Sequence, residues 1–258
     1  MKKFVNMNYI GITGHRGSGK TSVGYLLGNI LDCLKRDYSK DEIEDLYPTW
    51  CATIKENNNA IYDCCLDNVY FDEFGDMPKA FVASLLSVDM NILNNDTLKD
   101  KMFVNMKDFK LYPYDKSFKV LTAKELVEYT KANAPKRWPD VYVSLRNFAA
   151  YFSINIMQGI FGTDVWVKTR RQNESLYGEP DFEYTIFSDV KTKEEISYIK
   201  EKNGVMIRTL NPSTRKSDSG ISNTENTDAD FIINTEGNLT DLFEKIYEIG
   251  EKIYEMHG

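Results

Sequence analysis

Eight residues near the start of the chain, Gly14-His15-Arg16-Gly17-Ser18-Gly19-Lys20-Thr21, have the types and spacing needed to hold a chain of phosphates. Glycines let the backbone curl until successive N–H groups point at one anion, and a following helix adds the positive end of its dipole. A lysine can then reach the outer phosphates, and the hydroxyl beside it can ligate Mg²⁺. The pattern G-x-x-x-x-G-K-[ST] is the P-loop. It nominates Gly14, Gly17, Ser18, Gly19, Lys20, Thr21 and Ser22 as nucleotide-binding residues, with Lys20 catalytic and Thr21 the metal ligand. A dinucleotide loop fits less well, because Ser22 stands where G-x-G-x-x-G requires its third glycine.

Such a loop implies a nucleotide without naming the reaction. No N-K-x-D guanine signature is present, and no long apolar run ends in D-E as in a motor-type ATPase. Small-molecule kinases become the leading class. An anionic acceptor held beside the donor calls for basic residues from distant segments, and the candidates are Lys79, Arg146, Lys168, Arg170, Arg171, Lys191, Arg208 and Arg215. Asp72 and Asp189 each follow a strand-like run, at the sheet edge where ligands bind in open α/β folds. Asp189 could orient the water shell of Mg²⁺ or hold an arginine.

The elements that must position these residues alternate along the chain. Tyr9 to Thr13 reads as a strand, and Val23, Leu26, Leu27, Ile30, Leu31 and Leu34 lie on one helix face. Ser39 and Glu42 offer a capping box before a short helix. NVYF (68 to 71) reads as a second strand, and Pro78 opens a helix through 88. The spacing predicts helices over 122 to 131 and 145 to 161, the latter stopped by Gly162. Three short apolar runs follow, at 184 to 189, 205 to 210 and 230 to 234, with helices near 192 to 202 and 239 to 255. Strands of continuous apolar character indicate a parallel sheet covered on both faces. The aromatics Tyr70, Phe71, Trp138, Tyr142 and Trp166 read as core packing, and 91 to 115 as an irregular or helical insertion.

Bulk properties narrow the partners. The 258 residues carry 39 acids against 32 bases, a net charge of −7, so the overall field repels nucleic acid and anionic membranes. Cys33, Cys51, Cys64 and Cys65 contain no C-x-x-C pair and read as reduced thiols. The start MKKFVNMNYIGITG lacks the apolar run of a signal peptide, and no stretch has the length of a membrane span. These features set the expectation of a cytoplasmic protein without direct nucleic-acid or membrane contact, with a homodimer left open.

With those motifs in place, the chain resembles the phage-type deoxynucleoside monophosphate kinases of the P-loop nucleoside monophosphate kinase group. The likeness rests on GITGHRGSGKTS, on IMQGIFGTDVWVK (156 to 168), on FSDVKTKEEISYIKEKNGVMIRTLNP (187 to 212) and on DADFIINTEGNLTDLFEKI (228 to 246), in family order. It implies one α/β domain over 1–258, a parallel five-stranded sheet with helices on both faces. It also implies a helical acceptor-binding insertion within 36–140 and a lid over 211–229. The implied reaction moves the γ-phosphoryl of ATP, with Mg²⁺, to a dNMP. Lys20, Arg146, Arg170, Arg171 and Asp189 are then the catalytic set; Asp72, Lys79, Arg146 and Lys191 face the acceptor; Arg215 closes on ATP. Two departures stand out: Lys191 replaces the arginine of the family's D-[VT]-R turn, and Ser222 stands where relatives often carry a histidine. A kinase for another small acceptor, such as dephospho-coenzyme A, and a nucleotide-binding protein without phosphoryl transfer are the alternatives.

Overall fold

The computed structural model describes residues 8–56, 66–133, 138–178, 181–213 and 229–257. The chain divides into two compact units, Met1–Phe74 with Arg170–Gly258, and Gly75–Thr169.

The first unit is a five-stranded, all-parallel sheet in the order β2-β6-β1-β7-β8. Its strands are β1 (Asn8–Gly14), β2 (Val69–Asp72), β6 (Tyr184–Phe187), β7 (Val205–Leu210) and β8 (Phe231–Asn234). The apolar runs found in the sequence form these strands. β6 is buried along its whole length and β1 for all but its last residue, as continuous apolar strands require.

Helices cover both sheet faces. On one, Ile10, Ile12, Ile186 and Ile207 pack into a core with α1 (Lys20–Lys35) and α11 (Phe243–His257). α1 is buried at every position from Val23 to Cys33, since it touches the sheet, α11 and α2 (Lys40–Glu56). α2 begins at the expected capping box, Ser39 N–H donating to Glu42 at 2.8 Å. It runs 17 residues, Pro48 included, because Ile43, Tyr47 and Cys51 find a place in this core. The expected insertion over 36–140 therefore begins with a helix that belongs to the first unit. On the opposite face, Tyr9 and Phe187 meet Phe74 and Tyr198, the last on α10 (Lys193–Glu201).

The second unit holds α3 (Asp76–Leu86), α4 (Met90–Asn94), α5 (Asp96–Lys101), β3 (Met102–Asn105), β4 (Leu111–Pro113), α6 (Ala123–Asn133), β5 (Tyr142–Ser144) and α7 (Leu145–Tyr151). A π-helix over Phe152–Gln158 and a single turn, α8 (Gly159–Phe161), continue α7. Gly162 ends the run at φ 96°, as expected. α9 (Val165–Tyr177) crosses the boundary between the units.

An antiparallel sheet, β4-β3-β5, lies where only helix or irregular chain was expected. Val104 and Val143 pack it on Leu86, Leu126 and Phe148, while Phe103, Tyr112, Phe118 and Tyr142 form an aromatic cluster. Strands of three and four residues carry too few alternations to show a period of two in sequence. The core reading of the named aromatics is largely met: Trp166 is buried, Trp138 stacks on Tyr129 and Tyr70 on Phe182.

Candidate functional site

β1, the central strand, ends at Gly14, and the chain turns through 15–19 into α1. The turn depends on glycine. At Gly14 a Cβ would lie 2.4 Å from Thr209 Oγ1 and 2.6 Å from the Thr209 carbonyl oxygen, so no larger residue fits. Gly19, at φ 80° and ψ 18°, takes the left-handed conformation that turns the chain into the helix.

The loop is anchored from beneath. Ser18 is fully buried, its hydroxyl 2.7 Å from Thr209 Oγ1, and Thr235 Oγ1 donates to the Ser18 carbonyl at 2.8 Å. Buried hydrogen bonds of this kind contribute about 1 kcal/mol each. Thr209 and Thr235 come from β7 and from the residue after β8, and nothing in their local sequence marks them as loop supports.

Gly19, at the N-terminus of α1, provides no side-chain cap, and no acid occupies the first turn. Three other helices carry capping boxes: Ser39, Thr122 and Thr192 each accept from the backbone N–H of the glutamate three residues on, whose side chain bonds back. The first turn of α1, which includes Lys20, Thr21 and Ser22, thus presents backbone N–H groups and the helix dipole without a capping side chain at Gly19.

Lys20 folds back across the loop. Its ammonium donates to the carbonyls of Gly14 (3.1 Å) and His15 (3.0 Å) and lies 3.6 Å from Asp189 Oδ1. Asp189 stands two residues past β6, in the turn leading to α10. Its other oxygen is in a close ion pair with Lys191. Asp189 was expected to orient the water shell of Mg²⁺ or to hold an arginine; among the described residues its ion pairs include Lys20 and Lys191.

That turn is tightly bonded. Val190 N–H donates to Ile12 O of β1 at 2.9 Å, and Ser188 N–H to Asp72 O of β2 at 3.2 Å. One oxygen of the buried Glu195 accepts from both Lys191 N–H (2.6 Å) and Thr192 N–H (2.9 Å). Burial raises the Glu195 carboxyl above its ordinary value, although these two bonds pull it down. Ser188 Oγ donates to Glu73 Oε1 at 2.8 Å, both residues being buried. The Thr192–Glu195 cap carries a T-x-x-E signal that the sequence reading passed over; the Glu73–Ser188 bond, spanning 115 residues, has no such local signal.

The remaining candidates fall elsewhere. Arg170 Nη1 lies 2.5 Å from Asp72 Oδ2, and its Nε donates to Glu174 at 3.1 Å. Tyr198 donates to the same Glu174 oxygen in a short bond, Tyr9 Oη lies 3.4 Å from it, and Lys202 is 3.5 Å from its other oxygen. Arg170, Asp72 and Glu174 side chains are only 15 %, 11 % and 10 % exposed. Burial works against the Arg170 charge, but Asp72, Tyr198 and Glu174 together raise its pKa. Asp72, expected to face an acceptor, is engaged here with Arg170. Arg171 is half-exposed, paired with Glu201 and set over the Tyr198 ring.

Lys79 and Arg146 belong to the second unit, paired with Asp76 at 3.0 Å and Asp100 at 2.6 Å. Lys168 pairs with Asp164, and Arg208 lies within β7. Arg215 and Ser222, and with them most of the lid expected over 211–229, lie outside the described residues, as do Cys64 and Cys65. Cys33 and Cys51 are free and buried, in keeping with reduced thiols. Among the described residues no helix is long and apolar enough to cross a membrane, and no group of three or more His, Cys, Asp or Glu could hold a metal ion.

A scan against protein-family models finds no match for this chain, and a search of curated proteins finds none either.

Proposed function

We propose that the first unit binds ATP at the Gly14–Ser22 loop and that the protein is a magnesium-dependent kinase acting on deoxynucleoside 5′-monophosphates. The observation that carries the reading is the uncapped start of α1 with the Lys20 ammonium folded over the loop, at the carboxyl end of the central strand. In open parallel sheets ligands collect at that end, where connections leave in opposite directions. Here β1 is flanked by β6 and β7, and the chain passes from one to the other through α10. The acceptor class rests on the resemblance of the 156–168, 187–212 and 228–246 segments.

The loop N–H groups suit the β-phosphate, and Lys20 suits the outer phosphates, exchanging the Gly14 and His15 carbonyls for phosphate oxygens while Asp189 keeps it in place. Among the described residues the loop would offer a hard cation the Thr21 hydroxyl, which fits an ion held mainly by nucleotide phosphates and water. Mg²⁺ supplies charge neutralisation there. In the transfer, an acceptor phosphate oxygen bonds to the γ-phosphorus as the bond to the bridging oxygen breaks, leaving ADP. The nucleophile is already ionised at neutral pH, so the chain needs to provide position and charge rather than a base.

A coupled assay of ADP formation with each dNMP tests the reading. dNMP-dependent turnover that disappears in Lys20→Ala, with the fold intact by circular dichroism, is expected. ATP binding without turnover on any dNMP would remove the kinase assignment, and turnover with only another small acceptor would change its substrate class.

A further inference from the structure

Two acids stand side by side at the end of β2, and the second has no role so far. Glu73 is 8 % exposed, a carboxylate in a place where burial is costly without partners. Its Oε1 accepts from the hydroxyl of Ser188, which is 1 % exposed. The pair extends the β2–β6 register by one step: Asp72 is opposite Phe187 in the ladder, and Glu73 and Ser188 are the next residue on each strand.

The consequence falls on the following residue. Asp189 lies between Ser188, tied to β2 by the Glu73 bond and by its own N–H to Asp72 O, and Val190, tied to β1 by its N–H to Ile12 O. The turn is clamped on both flanks, and its carboxylate is delivered to the Lys20 ammonium at 3.6 Å. On the β1 flank the clamp is backbone. On the β2 flank it includes a side chain, so that flank depends on residue identity.

We infer that Glu73 is a positioning residue of the loop site: through the Ser188 hydroxyl it holds the Asp189 carboxylate against the Lys20 ammonium. The geometric part stands on the hydrogen bonds alone. The kinetic part rests on the kinase reading proposed above. Glu73 touches neither nucleotide nor acceptor in this scheme; its effect passes through Asp189 to the lysine that stabilises the transferring phosphoryl group. Misplacing that ammonium weakens an interaction made chiefly in the transition state, so kcat falls more than the affinity for ATP.

The experiment compares Glu73→Ala, Ser188→Ala, their double variant and Glu73→Gln, with Asp189→Asn as reference. The first readout is independent of activity: the rate at which an amine-acylating reagent labels Lys20 in the native full-length protein, followed by mass spectrometry. An ammonium freed from its carboxylate should be labelled faster. Acceleration is expected in Asp189→Asn, because the amine gains freedom once the carboxylate 3.6 Å away is removed. Glu73→Ala and Ser188→Ala should each approach it, and the double variant should add nothing, because one bond is removed in all three. Glu73→Gln keeps an acceptor oxygen and should recover most of the wild-type rate.

The second readout is kinetic: kcat on the dNMP the wild type accepts should fall about tenfold in Glu73→Ala and Ser188→Ala, with KM for ATP changed less than threefold. Ser188→Ala removes a single hydroxyl and serves should Glu73→Ala fail to fold. A wild-type labelling rate in folded Ser188→Ala or folded Glu73→Ala overturns the inference, as does additivity in the double variant. Absence of wild-type turnover overturns the kinase reading and leaves the labelling result to decide the inference.

Discussion

Arg170→Ala separates a catalytic arginine from a structural one. The sequence places Arg170 among cations that could close over a transferring phosphoryl group, but in the fold its guanidinium lies between Asp72 and Glu174, all three side chains at least 85 % buried. Truncation leaves two buried carboxylates. Glu174 retains Tyr198 and the Lys202 ammonium at 3.5 Å, whereas Asp72 loses a partner at 2.5 Å. Breaking a buried pair from one side costs about 3–5 kcal/mol, and here the upper half is expected because one cation serves two anions. Urea denaturation at pH 7 measures it. The loss should shrink on acidification. A carboxylate buried without its cation has a folded-state pKa above its unfolded value, so its contribution to stability is favourable at low pH and is lost as pH rises through the raised value. The deficit of Arg170→Ala is therefore largest near pH 7 and narrows towards pH 4. Arg170→Ala combined with Asp72→Asn should recover about 1–3 kcal/mol of the loss, the coupling of two groups in contact. A destabilisation under about 1 kcal/mol at pH 7, together with a large fall in kcat, would refute this reasoning and return Arg170 to the catalytic set.

Two further outcomes follow from the loop and its flanking turn. Gly14→Ala should cost about 2–4 kcal/mol, because its Cβ would overlap Thr209 and disturb the Ser18–Thr209 hydrogen bond. Gly17→Ala, exposed and at φ 76°, should cost about 1 kcal/mol; equal losses in urea melts would contradict the steric argument. Glu195→Gln keeps an oxygen for both backbone N–H groups and removes a buried charge. Since burial raises the Glu195 pKa, its favourable contribution is complete below the unfolded value and is lost as pH rises through the folded one. The variant should therefore gain stability relative to wild type between pH 4 and pH 7, and a gain on acidification instead would reverse the assignment of cause.

What the sequence made legible is what depends on neighbours along the chain. Glycines, a lysine and hydroxyls within eight residues announced a glycine-dependent turn between strand and helix, and S-x-x-E at 39 to 42 announced a cap. Continuous apolar runs announced buried parallel strands, since a strand covered on both faces has no polar side to show. β3, β4 and β5 escaped because strands of three or four residues among lysines and aspartates leave no periodic trace. The span and packing of α2 escaped for another reason: its first-turn acids and capping box were visible, but its length is set by the core that receives Ile43, Tyr47 and Cys51.

The acids at the end of β2 show where local reading stops. A strand ending in acid at the carboxyl edge of a parallel sheet is a sound place to look for a functional carboxylate, and that rule selected Asp72. Successive side chains leave a strand on opposite sides, so Asp72 and Glu73 cannot serve the same neighbours. Asp72 meets Arg170 of α9, on the side where Phe187, Tyr198 and Glu174 gather; Glu73 meets Ser188, next to the residue that contacts Lys20. Which acid faces which way is fixed by the register between β2 and β6, where Asp72 is opposite Phe187. A shift of one residue would exchange the two roles without altering one letter of the local motif. Register is a pairing of segments 115 residues apart, decided by which apolar residues must be buried on each face. The two acids have almost the same chemistry, and only the paired strands assign one to the arginine and the other to the turn that carries Asp189.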